Sequence, residues 1–225
     1  MAEFKIHYLF DPLCGWCYAS APALASLAHK FPDALELNPT GLFSGEGARQ
    51  ITPAFATHAR TNDQRITAMT GQPFSPRYFQ QILGGNNVRF DSMVMSMALT
   101  AVREIDGALE PVLFHRLQSE RYVAGQDTSS PEIVARIAVE LLNGEGHDIS
   151  ESEFSALLTH GKQLAKQTRQ RMENAQALMS RVKASGVPLL LVQVGETLHP
   201  LNGMDLYADP AYLIEKIKHI VSTAA

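Results

Sequence analysis

Strand-forming sequence is concentrated at the two ends of this 225-residue chain, and that asymmetry limits the fold more than any other feature. Phe4 to Phe10 (FKIHYLF) alternates and then runs apolar, with aromatic and β-branched residues, and reads as a buried strand. Leu35 to Pro39 reads as a short second one. Near the other end, Leu189 to Val194 (LLLVQV) has the composition of a strand covered on both faces. Gly195-Glu196 is a turn signal, and Thr197 to Leu201 reads as an edge partner because Pro200 cannot donate to a central ladder. A last helix is expected over Asp209–Ser222, with Leu213, Ile217 and Ile220 on one face.

The middle, from about Thr52 to Ala184, reads as helix throughout. Helices are expected over Pro53–Met69, Ser75–Leu83, Asp91–Asp106, Glu110–Val123, Ser130–Leu142 and Ser152–Leu158, then over a long run from Gly161 to Lys183. Ser75-Pro76 and Ser130-Pro131 place a hydroxyl cap before a first-turn proline. Asp91 can cap the next helix, and Ser150 with Glu153 forms a capping box. The economical arrangement is one α/β domain made from both termini, residues 1–50 and 185–225, interrupted by a helical insertion over 51–184. No internal repeat or low-complexity segment is present.

A hydrophobic content of 45% and a net charge of −4 place the chain among ordinary globular proteins and give no electrostatic footprint for nucleic acid. No run approaches the roughly 18 apolar residues that span a bilayer, so no membrane partner is expected. The N-terminal residues lack the basic and apolar regions of a secretion signal, and the expected location is cytoplasmic.

Both cysteines of the chain lie in one turn, Cys14-Gly15-Trp16-Cys17, between the first strand and a helix expected over Cys17–His29 with a kink at Pro22. A C-x-x-C pair beside a βαβ pattern is a thioredoxin-like redox signature. Exchange needs a thiolate, and the free N–H groups of a helix start favour that anion. Cys14, just ahead of the helix, is the better-placed nucleophile, and Cys17 is close enough to resolve a mixed disulfide. Other uses of the pair stay open: half of a zinc site, a cluster bridged between subunits, or two inert buried thiols. A structural zinc needs four ligands, and the eight histidines are scattered without metal-ligand spacing, so no metal is expected. Val187-Pro188, directly before a buried strand, is either a plain helix stop or a cis proline beside the cysteines that leaves the Val187 backbone open to a substrate strand.

An N-terminal strand, the stretch FDPLCGWCYASAPAL, a long helical insertion, SGVPLLLV and a closing helix together resemble the DsbA-like thiol–disulfide oxidoreductases. The branch most resembled includes the kappa-class glutathione transferases and the 2-hydroxychromene-2-carboxylate isomerases. The resemblance covers essentially the whole chain. It implies an α/β fold, a thioredoxin-like fold interrupted by an all-helical insertion domain. It implies Cys14 as nucleophile, Cys17 as resolving thiol and Pro188 as the cis proline, with glutathione as co-substrate and a disulfide-containing protein or small molecule as partner. Gly203-Met204-Asp205 fits a kappa-class pattern that holds the γ-glutamyl end of glutathione. N–H groups of Met204 and Asp205 would suit its carboxylate, and the Asp205 carboxylate its amino group; the competing use of Asp205 is to cap the last helix. Trp16, between the thiols, is expected to flank the site with Val187. Kappa-class transferases and the isomerases place serine at the first motif position, whereas this chain keeps both thiols. The implied activity is therefore a cytoplasmic, glutathione-linked thiol–disulfide oxidoreductase. The alternatives are a glutathione transferase or isomerase of the kappa-related type and a non-enzymatic redox sensor or cluster-binding adaptor.

Overall fold

A computed structural model of the chain describes residues 3–224. The elements run β1 (Phe4–Phe10), α1 (Gly15–Ala19), α2 (Ala21–Lys30), β2 (Leu35–Pro39), β3 (Arg49–Gln50) and α3 (Pro53–Thr70). A π-helical stretch over Tyr78–Leu83 precedes β4 (Arg89–Phe90). There follow α4 (Met93–Ile105), α5 (Glu110–Tyr122), α6 (Pro131–Gly144), α7 (Glu151–His160) and α8 (Lys162–Arg181). The chain ends with β5 (Leu189–Val194), β6 (Thr197–Pro200), a 3-10 stretch over Gly203–Tyr207 and α9 (Pro210–Ala224).

The chain divides into two compact units. One combines the residues up to Thr40 with those from Arg171 onward; the other is Gly41–Gln170. The first holds a four-stranded sheet in the order β2-β1-β5-β6. Strand β1 runs parallel to β2, with Ile6 opposite Leu35 and Phe10 opposite Pro39. It runs antiparallel to β5, with Phe4 opposite Val194 and Leu9 opposite Leu189. Central β1 is covered on both faces, so five consecutive residues, Ile6 to Phe10, are buried. Pro200 sits on edge strand β6, where its missing N–H breaks no central ladder.

On one face Leu9, Leu191 and Ala175 form a fully buried cluster, with Leu178, Met179 and Val182 of the α8 end packed around it. Arg171 donates to the Leu37 carbonyl at 2.8 Å and Gln176 to the Thr40 carbonyl at 2.8 Å. Residues 171–181, which read from sequence as part of one long helix in the middle of the chain, therefore pack with the sheet. The helix passes through the division without a break, because helical periodicity responds to local sequence and not to what the helix later touches. It ends at Arg181, and Lys183 just beyond takes a left-handed φ of 54°.

Three local expectations are corrected. The helix expected over Cys17–His29 is two helices, α1 and α2, broken at Ser20 (φ −86°, ψ 7°). Pro22 lies in the first turn of α2, where its missing N–H is not needed, so it starts a helix and kinks none. In α9 the buried face is Leu213, Ile217 and Val221, a strict four-residue spacing, with Ile220 only half-buried. In the second unit β3 pairs with β4 through two residues each, too short to leave a sequence periodicity.

The second unit otherwise keeps the expected order of helices. Ser75 accepts from Tyr78 N–H at 3.1 Å, and Asp91 from Met93 N–H at 3.1 Å. Ser130 and Ser150 cap α6 and α7 by accepting from Ile133 and Glu153 N–H. Met95 and Met97 of α4 are buried in this unit as core.

Candidate active site

Strand β1 ends at Phe10, and buried Asp11 turns the chain by accepting from Leu13 N–H at 2.9 Å. The Asp11 carbonyl accepts from Cys14 N–H at 3.0 Å, which delivers Cys14 to the start of α1. Cys14 is the N-cap residue, with extended φ −78° and ψ 117°, and its carbonyl receives Tyr18 N–H at 3.0 Å. The helix thus begins at Gly15, earlier than the sequence pattern indicates, and Cys17 lies inside its first turn. With five residues, α1 has a small macrodipole, and the Cys14 side chain makes no capping hydrogen bond to it.

Both cysteines are free thiols. They differ in access: Cys14 is 8% exposed and Cys17 is 0% exposed. Burial, then contact with the Cys14 sulfur, pushes the Cys17 thiol well above its ordinary range. Cys14 Sγ lies 3.7 Å from the Val187 carbonyl oxygen, and the Val187–Pro188 peptide is cis. The structure thus brings Cys14, Cys17, Val187 and Pro188 together across 173 residues of sequence.

Breaking the helix at Ser20 has a chemical result. The last four carbonyls of a helix lack intrahelical partners, and in α1 these include Trp16 and Cys17. Both are met by hydroxyls. The Cys17 carbonyl accepts from Ser20 Oγ at 2.9 Å and from Tyr8 Oη at 3.3 Å, and Tyr8 and Ser20 lie 2.7 Å apart. The Trp16 carbonyl accepts from Tyr207 Oη at 3.3 Å. The Tyr207 ring also lies against the Trp16 indole, centroids 5.6 Å apart. Burial and the neighbouring thiols raise both Tyr8 and Tyr207, so these phenols remain neutral donors. Sequence reading did not single out Tyr8, Ser20 or Tyr207.

Gly203, Met204 and Asp205 lie in the 3-10 stretch that ends at Tyr207, so the tyrosine links this segment to the cysteine turn. Asn202 caps the stretch. Its side chain accepts from Met204 N–H at 3.0 Å and its carbonyl from Asp205 N–H at 2.9 Å. The two N–H groups expected to face a carboxylate are therefore engaged internally. Asp205 does not cap α9: its carboxylate accepts from Lys216 Nζ at 2.6 Å, and Asp209 accepts from Ala211 N–H at the helix start. Met204 is 56% exposed beside this pair in sequence and presents an open apolar side chain.

Among the described residues, no group of three or more His, Cys, Asp or Glu side chains is arranged to hold a metal ion. Among them also, no helix is long and apolar enough to cross a membrane.

No family model and no curated protein sequence matches the chain. Solved structures do. The cytosolic disulfide reductase DsbM from Pseudomonas aeruginosa is 27% identical with a TM-score of 0.80, over 95% of this chain and 98% of that one. Its structure with GSH gives 28% and 0.78, over 95% and 99%. This chain has the DsbA-like fold. A candidate protein disulfide isomerase from Nitrosomonas europaea shares it at 20% identity and a TM-score of 0.72, over 99% and 98% of the two chains. So does a 2-hydroxychromene-2-carboxylate isomerase, at 17% and 0.53 over 97% and 96%. The DsbA-like fold, with its isomerase branch, is thus the architecture expected from the cysteine turn, the SGVPLLLV stretch and the strands at both ends.

Proposed function

We propose that the chain is a thiol–disulfide oxidoreductase of the cytoplasm that exchanges electrons with glutathione. The carrying observation is the unequal thiol pair: Cys14 with a small exposed edge, Cys17 fully buried with its proton held tightly. Cys14, as thiolate, attacks a disulfide, forming a mixed disulfide and releasing one thiolate. Cys17 then attacks Cys14 Sγ; the mixed disulfide breaks, and the second thiol leaves with the Cys17 proton. The chain ends as the Cys14–Cys17 disulfide, two electrons oxidised, and the substrate disulfide ends as two thiols. With glutathione as reductant the same steps run backwards.

The burial of Cys17 suits this division of labour, because a thiol shielded from solvent reacts with the sulfur beside it and not with bulk disulfides. The Val187 carbonyl, next to Cys14 and ahead of Pro188, offers a main-chain contact to a bound substrate. Gly203–Asp205 is the segment for the γ-glutamyl end, the Asp205 carboxylate exchanging its contact with Lys216 for the glutathione amino group. The likeness to DsbM, solved with GSH, supports both the activity and the co-substrate.

A coupled assay of glutathione-dependent disulfide reduction tests the proposal. Cys14→Ser is expected to abolish turnover; undiminished activity contradicts it.

A further inference from the structure

The Trp16–Cys17 peptide carries the resolving thiol, and its carbonyl is one that the five-residue α1 leaves without a helical partner. Tyr207 supplies the partner from a distant part of the sequence: its hydroxyl donates to the Trp16 oxygen at 3.3 Å and its ring lies 5.6 Å from the indole. The next carbonyl, of Cys17, is held by Ser20 and Tyr8. Two consecutive carbonyls around the resolving cysteine are thus fixed by three hydroxyls, and Tyr207 alone among these comes from the Gly203–Tyr207 segment. Ring packing would need only a phenylalanine; the hydroxyl on a backbone oxygen beside a reacting sulfur is the additional feature.

We infer that Tyr207 is a positioning residue for the second half of the exchange: by holding the Trp16 carbonyl it sets the direction from which Cys17 attacks the mixed disulfide on Cys14. The inference rests on the thiol exchange proposed above. The balance is unchanged by Tyr207. The Cys17–Cys14 bond forms, the bond from Cys14 to glutathione breaks, and glutathione leaves as a thiol with the Cys17 proton. Tyr207 neither donates nor accepts that proton, and it acts on geometry alone. The same contact joins the turn to the Gly203–Asp205 segment, so a ligand on that segment and the thiols share one anchor.

The test uses the full-length dithiol protein mixed with oxidised glutathione, quenched with acid at intervals and weighed by intact-mass spectrometry. Wild type is expected to pass through a transient species with one glutathione per chain. Tyr207→Phe, which keeps the ring and loses the hydroxyl, is expected to form that species at the wild-type rate. It should resolve it roughly tenfold more slowly, a loss of the size that small misplacements of reacting groups cause. Tyr207→Leu should be at least as slow. Emission from Trp16, the one tryptophan, and the thermal midpoint check that both variants fold. If Tyr207→Phe resolves the adduct as fast as wild type and only Tyr207→Leu is slow, ring packing is responsible and the inference is overturned. If wild type forms no adduct, the glutathione reading itself fails, and the inference fails with it.

Discussion

Lys216 Nζ lies 2.6 Å from Asp205 Oδ2 and ties α9 to the 3-10 stretch that carries Tyr207. The carboxylate side chain is 13% exposed and the lysine 35% exposed. Asp205 is therefore a paired, largely sheltered anion, and any ligand amine that reaches it displaces an existing cation.

From this follows a contrast between two variants. Asp205→Asn is expected to raise the KM for glutathione roughly tenfold, equivalent to about 1.4 kcal/mol. Lys216→Met removes the competing cation and is expected not to raise it. Steady-state kinetics at varied glutathione measures both. An unchanged KM in Asp205→Asn removes the residue from the binding site. The ion pair itself, with Lys216 open to solvent screening, adds little to stability, so Asp205→Asn should remain folded.

The two thiols should differ in reaction with an alkylating agent. Cys17 has no exposure and its thiol is pushed up by burial and by Cys14, whereas Cys14 keeps a small exposed surface. Iodoacetamide at neutral pH is expected to label Cys14 first, with Cys17 labelled only after unfolding. Peptide mapping by mass spectrometry reads the order, and faster labelling of Cys17 would contradict the site geometry.

Acid should weaken the first unit through Glu36. Hydrogen bonds from His7 (3.2 Å) and Lys5 (2.6 Å) hold its carboxyl down at about 2. A carboxyl depressed in the folded state contributes stability that is fully present above its unfolded value and is lost as pH falls through the folded one. The stability difference between wild type and Glu36→Gln should be constant above about pH 5, shrink below it and vanish near pH 2. Its plateau should be on the order of 1–2 kcal/mol after solvent screening. Urea unfolding at a series of pH values follows it; a difference that grows toward acid contradicts the assignment.

Packing between α8 and the sheet allows little added volume. Ala175 is fully buried against Leu9 and Leu191. Ala175→Leu is expected to cost about 1–3 kcal/mol through overpacking, measured by urea unfolding. A neutral result would mean that the C-terminal half of α8 does not pack on this face.

Much of the fold was legible because the relevant signals are local. The FKIHYLF and LLLVQV runs report burial on both faces, Pro200 reports an edge, and Ser130 and Ser150 report helix starts. What the sequence did not show depends on distant contacts or very short elements. The β3–β4 ladder is two residues long, and the end of α8 joins the sheet only through tertiary packing at Ala175. In the site, Cys14, Cys17 and Val187-Pro188 were readable from residue type and position. The hydroxyls of Tyr8, Ser20 and Tyr207 were not, because the carbonyls they meet exist as open acceptors only once α1 stops at Ala19. The Asp205–Lys216 pair joins residues on two different elements, and no local pattern marks it.

The central claim is that Cys14 receives the incoming sulfur and Cys17 releases it. The most direct measurement is intact-mass spectrometry of Cys17→Ala and Cys14→Ser after incubation with oxidised glutathione. The account predicts a stable adduct of one glutathione per chain on Cys17→Ala, mapped to Cys14, and none on Cys14→Ser. An adduct on Cys14→Ser, or no adduct on Cys17→Ala, would contradict it.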